Sequence, residues 1–421
     1  MHETVFPRMV RVKQHFNHPQ IVDIDAEVRS EVRRILPGTK VCPGDSVAIT
    51  VGSRGIANLA KIVFALASEL KNFGCRVFLV PAMGSHGGAT AEGQLKVLEH
   101  YGITEASMGV PIKSCMDVTE VTKTEDGLSV FVDQNALGAD HIVAFNRIKP
   151  HTDFRGEVES GLLKIMTIGL GKHRGATYYH QAAVKLGGSR MIRTVGRSVI
   201  RACPVAFGLG VVENANDQTA IITAMLPHEI ESQEEALLIR AKELMAKLPF
   251  QELDILIVDR IGKNISGTGM DTNVIGRIMN IYTKDPEWPK ITRIFVRDLT
   301  EETDGNAIGI GMADFTTKRL TEKINYKVTY TNSLTGLVPE KARIPITCEN
   351  DHEALDTALK TIGLVPPEQA KVIWIQDTLA LTEVYVSEVY LPEVQDNPGL
   401  QLLGQPEGLS FDSSGNLVSK W

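Results

Sequence analysis

Cysteine is sparse and scattered: Cys42, Cys75, Cys115, Cys203 and Cys348 are the only five in 421 residues, and no CxxC pair occurs. That pattern excludes a zinc knuckle and suggests no disulfide framework, so buried apolar thiols in a reducing compartment are expected. No HExxH or DxDxDG run offers a ready metal site. No stretch approaches the roughly 20 apolar residues of a membrane span. The opening MHETVFPRMVRVKQ has no signal-peptide core. A cytoplasmic protein without a membrane partner is the expectation. Excess positive charge is also lacking. The net charge of −7 argues against a broad nucleic-acid face but leaves room for a small anion gripped by a few local cations. Low-complexity segments are absent.

What is present is ordinary for a globular protein: 43% hydrophobic and 23% charged residues, at a length suited to two or three domains. The first half alternates strand and helix patterns. SVAITV (46–51), RVFLVPAM (76–83) and IVAF within 140–150 read as buried strands. IANLAKIVFALASELKNF (56–73) and AEGQLKVLEHYG read as amphipathic helices, the first stopping at Gly74. Such alternation predicts βαβ units and a mostly parallel sheet. A helix is expected from about Gly175 through His180, then paired strands in CPVAFGLGVVEN and QTAIITAML, and a helix in HEIESQEEALLIRAKELMAKL. PFQELD (249–254) marks a domain boundary. LDILIVD, ITRIFV and VIWIQ are strands of a second α/β domain. The expected organisation is 1–250, 251–395 and a tail, 396–421, packing back on the first domain.

In open parallel sheets the loops leaving the carboxyl ends of strands line the ligand crevice. Here those loops are GSRG, GSHGGAT and NRIKPH, so Arg54, His86 and His151 share one edge of the sheet. GSRGIANL and GSHGGATAE also repeat one solution, strand to Gly-Ser-X-Gly to helix. Glycine amides feeding a helix N-terminus form a nest for phosphate or carboxylate, though plain turns would read the same. Histidines suit acid–base work near neutral pH, and His86, His151, His173 and His180 have glycines and cations nearby. His2, His15 and His18 sit in an irregular start, and His100, His141, His228 and His352 lack such company. Lys164 and His180 are sixteen residues apart, too far for one helical face, but a bend at IGLGKHRG would turn both toward one ligand. A snorkelling surface lysine is the plainer reading of Lys164.

These residues together resemble the nickel-dependent lactate racemase family of 2-hydroxyacid racemases and epimerases, over nearly the full length and most strongly before residue 250. GSHGGAT is similar to that family's GTHRPMT loop and PHTDFRG to its PHxxAG segment. The resemblance makes His86 and His151 the catalytic pair. Lys164 falls where the family attaches its cofactor, a nickel-pincer nucleotide (a pyridinium dithiocarboxylate mononucleotide carrying nickel), and His180 where a histidine completes the metal's coordination. The same sixteen-residue gap occurs in the family pattern. Arg54 matches the arginine of its DATR loop, which holds the anionic ligand. Ser53, Gly84 and Ser85 are the further cofactor contacts expected. The implied fold is two α/β domains with mostly parallel sheets and an active-site cleft between them. The implied partners are a small 2-hydroxyacid and the enzymes that mature the cofactor and insert nickel.

The chain departs from that pattern in places. Three extra residues separate His151 from Lys164, giving EVESG where the family has a Gly-Gly-Arg run, and Val51 replaces the aspartate of DATR. GTGMDTNVIGRIM resembles GYPxDQNLYQAVK, but the substrate-binding Tyr, Gln and Lys become Ile275, Gly276 and Met279. Arg277 is then the candidate to grip a substrate carboxylate. A bulkier or more polar hydroxyacid than lactate, such as a sugar acid, is expected. Two alternatives stand beside an isomerase. One is a nicotinamide-dependent dehydrogenase, although neither glycine loop satisfies GxGxxG. The other is a non-catalytic protein that binds a nucleotide or sugar acid.

Overall fold

SVAITV forms the strand Ser46–Val51 and is buried at every position but the first. Its side chains alternate between two cores, Val47, Ile49 and Val51 facing one and Ala48 the other. This continuous apolar run belongs to a parallel strand covered on both faces. The computed structural model describes residues 5–16, 18–53, 55–418 and 421. They divide into two compact units, His18–Met245 and a second comprising Met1–Asn17 with Ala246–Trp421. Both are α/β with mostly parallel sheets.

In the first unit the five strands lie in the order Arg76–Pro81, Ser46–Val51, His141–Arg147, Val205–Glu213, Thr219–Met225. All neighbours are parallel except the last pair. Numbered along the chain, this is the doubly wound order 2-1-3-4-5, whose direction of winding reverses between the first and third strands. The helices Ile24–Ile35 and Leu59–Asn72 pack on one face. Residues of 162–170 and the helices Lys172–Leu186, Gly188–Ala202 and Ile230–Leu244 pack on the other.

The second unit is built on an eight-stranded sheet, with Glu252–Ile261 and Val372–Ile375 at its centre and Lys290–Leu299 on the other side of Glu252–Ile261. Two features differ from the sequence-based division. The strand Met9–Gln14 pairs antiparallel with Glu383–Ser387 and so lies in the second unit, outside the expected 1–250 domain. Val10 and Val12 enter that unit's core. The tail also packs there, not on the first domain. Leu400–Leu402 extends the sheet beside Met9–Gln14, the Leu417 amide donates to Asp351 at 2.9 Å, and the Trp421 ring lies 5.1 Å from that of Tyr385. Burial of three aromatic rings (Trp374, Tyr385, Trp421) and completion of a sheet edge drive this docking. No helix among the described residues is long and apolar enough to cross a membrane.

Candidate active site

The reversal in winding lies between Ser46–Val51 and His141–Arg147, and the loops leaving these strands begin at Gly52 and Ile148. The Arg76–Pro81 strand delivers Ala82–Thr90 at the same edge. All three loops meet the segment that follows Gly161. Gly52 would, with a Cβ, touch Ile165 at 3.8 Å and the Asn146 side chain at 3.6 Å. Asn146 donates to the Gly161 carbonyl at 2.8 Å. Gly84 adopts φ +59°, and a Cβ there would press to 3.1 Å on the Ile168 carbonyl and side chain and 3.4 Å on Ala176. Its amide donates to Gly169 at 3.3 Å. A side chain at 84 would therefore push the His86 loop away from the segment bearing Lys164. Gly84 works as a close-packing point, and Ser85 is half-buried beside it.

Lys164 ends the short turn Leu162–Lys164 and is followed by a π-turn, Ile165–Gly169, a device frequent at functional sites. The helix Lys172–Leu186 then carries His180. The bend expected at IGLGKHRG is this π-turn plus Lys172 in the left-handed region at φ +52°. His180 is exposed to solvent. The protein packed around its ring, and then the Lys164 ammonium, push its pKa below the usual imidazole value, while the Asp153 carboxylate opposes them. Lys164, His180 and Asp153 thus share one electrostatic neighbourhood. The ring is favoured as the neutral species, the form that can ligate a metal.

Both other histidines are held by their loops. His86 is exposed, and its Nδ1 shares a hydrogen bond with the Ser53 hydroxyl. The Ser53 carbonyl accepts from Tyr101 at 3.2 Å. His151 is half-buried and stacks on Phe154, with centroids 4.2 Å apart and planes at 22°. Its Nδ1 accepts from the Asp153 amide at 3.0 Å. Its own amide donates to Glu159 Oε2 at 2.7 Å, and its carbonyl accepts from Arg155. Glu159 is 1% exposed and also accepts from the Gly156 amide at 3.2 Å and Lys242 Nζ at 2.6 Å. The EVESG insertion therefore supplies the carboxylate that anchors the His151 loop. Glu159 was missed in the sequence because it looks like one charge in a solvated run.

Several expectations are revised. Arg54 lies outside the described residues. The helix entry after GSRG is not an open anion nest: the Glu213 carboxylate accepts from the Ala57 amide and pairs with Arg147, so the chain's own carboxylate occupies the place a phosphate would take. The entry after GSHGG is capped by Thr90, whose hydroxyl accepts from Gly93 at 3.0 Å. Arg277, in the second unit, is engaged in structure. It pairs with Asp314 at 2.8 Å and donates to the carbonyls of Met312, Ile291 and Thr292 at 3.0–3.1 Å. Both terminal nitrogens of the guanidinium are committed to these structural acceptors. Among the described residues no group of three or more His, Cys, Asp or Glu could hold a metal by itself.

Residues 39–191, which carry all of these loops and the 164–180 segment, match the model of the lactate racemase N-terminal domain. No curated protein matches the chain. Among solved structures, the lactate racemase apoprotein from Thermoanaerobacterium thermosaccharolyticum is similar with a TM-score of 0.52, covering 89% of this chain and 99% of that one. At 13% identity that likeness is one of fold. Over residues 39–191 the chain is thus similar to the lactate racemase N-terminal domain, and over most of its length it shares the fold of a lactate racemase apoprotein.

Proposed function

We propose that this protein is a 2-hydroxyacid racemase or epimerase, an isomerase acting through reversible hydride transfer with a nickel-pincer nucleotide tethered to Lys164. The observation that carries the proposal is the meeting of two histidine-bearing loops, at a reversal in sheet winding, with one segment holding both a lysine and a histidine suited to a metal. The donor set fits such a group. Lys164 is half-buried and His180 beside it is favoured as neutral, and a single imidazole matches a metal whose remaining donors come from the cofactor's soft sulfur arms. When bound, the nucleotide supplies a reversible hydride acceptor.

The substrate dictates the rest. A carbon next to an ionised carboxylate is a poor acid, so the histidines work on the hydroxyl oxygen. With Nδ1 accepting from Asp153, a neutral His151 carries its hydrogen on Nε2 and presents a donor. The Ser53 hydroxyl can accept from Nδ1 of His86, which makes Nε2 the basic nitrogen of that ring, the one that would take the hydroxyl proton. The hydroxyl points in opposite directions in the two enantiomers, which accounts for one imidazole on each of two loops. Arg54 holds the anionic ligand in this reading, and the partners are the enzymes that build the cofactor and insert nickel.

Intact mass spectrometry after co-expression with those enzymes should show an adduct on the wild type that Lys164→Ala lacks. The loaded protein should invert a 2-hydroxyacid from a panel, followed by chiral chromatography without added nicotinamide. His86→Ala and His151→Ala should abolish inversion while keeping adduct and nickel. A wild type with no adduct would end the proposal, and loss of nickel in both histidine variants would make those residues ligands instead.

A further inference from the structure

Lys172 is a fully buried lysine at the joint between the π-turn and the His180 helix. Its ammonium has three acceptors: the Pro81 carbonyl at the end of the Arg76–Pro81 strand, Gln94 Oε1 at 2.9 Å, and the fully buried Asp133 carboxylate at 3.3 Å. Three acceptors satisfy the three N–H donors of an ammonium. Burial alone pushes the lysine's pKa down, and Asp133 opposes that shift. Gln94 is itself fully buried. With its carbonyl held by Lys172, its amide faces the other way and donates to the carbonyls of Gly84 at 3.0 Å and His86 at 3.4 Å.

An ion pair in a core is often no more stabilising than apolar residues of the same volume, so its use here is better sought in the geometry it enforces. We propose that Lys172 and Gln94 are positioning residues for His86. The ammonium sets the orientation of the Gln94 amide, and the amide clamps the loop on both sides of Ser85, fixing where the imidazole stands. The left-handed backbone at Lys172, uncommon for a side-chain-bearing residue, aims the side chain inward under the loop. The segment joining Lys164 to His180 thereby also supports His86. The inference rests on the reading of His86 as an acid–base residue.

The discriminating variant is Gln94→Glu. It keeps the volume and an oxygen for Lys172 but replaces both donors to the loop with an acceptor. Hydrogen exchange of the cofactor-free protein reads the clamp without substrate. Exchange over 84–90 should rise about tenfold or more, while the strands Ser46–Val51 and Val205–Glu213 stay protected. In loaded protein, kcat should fall roughly 10- to 100-fold with KM nearly unchanged, as expected for a misplaced acid–base group. Gln94→Asn, which keeps both kinds of group on a shorter stem, should recover part of the loss. Unchanged exchange at 84–90, or a rise spread over the whole unit, overturns the proposal. A wild type that inverts no hydroxyacid would count against the racemase reading, and the exchange result would still decide the clamp.

Discussion

Removing the Glu159 carboxylate tests whether the His151 loop is held from below. In Glu159→Ala, the amides of His151 and Gly156 lose their acceptor. Each hydrogen bond to a charged group is worth about 1.5–3 kcal/mol, so the pair amounts to about 3–6 kcal/mol. Lys242 adds little. Its side chain is 39% exposed, so a freed ammonium turns to water, and its share is discounted to about 0–1 kcal/mol. Against a typical stability of about 5–15 kcal/mol, the variant should fold but unfold at clearly lower urea. Glu159→Gln keeps one acceptor oxygen for His151 and should lose roughly half as much. The assay is urea denaturation followed by circular dichroism, with both variants beside the wild type. A loss under about 1 kcal/mol for Glu159→Ala, near what a surface substitution costs, would refute the claim that this carboxylate anchors the loop.

Two further outcomes follow from the same reasoning. Glu234 is fully buried, and burial first of all raises its pKa from 4.5 to about 7, opposed by the Leu163 amide from which it accepts a hydrogen bond. The folded state then holds a proton that the unfolded state releases above pH 4.5. Stability from this group is complete below that pH and is lost as pH rises through about 7. The wild type should therefore lose urea resistance between about pH 4.5 and 7, and Glu234→Gln should lack that component of the slope; identical pH profiles would count against it. Arg277→Met should lower the stability of the second unit by about 2–4 kcal/mol, since it strips three carbonyls and Asp314 of their donor. It should leave KM for any inverted hydroxyacid near the wild-type value. A KM raised without loss of stability would restore Arg277 as a substrate residue.

The regular elements of the first unit were legible because their signals are local. SVAITV, with β-branched residues between CPGD and GSRG, could be little other than a covered strand, and it is Ser46–Val51 to the residue. The loops after such strands could be placed together on one edge of the sheet from topology alone. The strand Met9–Gln14 was not, because its burial comes from partners at 383–387 and 400–402, and pairing across so long a stretch of chain leaves no mark in a six-residue window. The tail was misassigned for the same reason. Its aromatic residues Phe411 and Trp421 show what it can bury, but not against which sheet.

The site residues that sequence reading missed share a physical cause. A loop that holds an imidazole out toward a ligand still has amides and carbonyls on its inner side, and these need partners where water is excluded. Under His151 the partner is a carboxylate, Glu159, taking two amides. Under His86 it is an amide, Gln94, donating to two carbonyls and oriented by Lys172 across 78 residues of sequence. In sequence these are a glutamate in EVES, a glutamine on an amphipathic helix and a lysine beside His173, each of which reads as a surface residue. Reactive side chains at strand ends can be found from residue type and position. The groups that hold them are chosen by the sign of the backbone dipole they must satisfy, and that sign is set only when the loop has taken its shape.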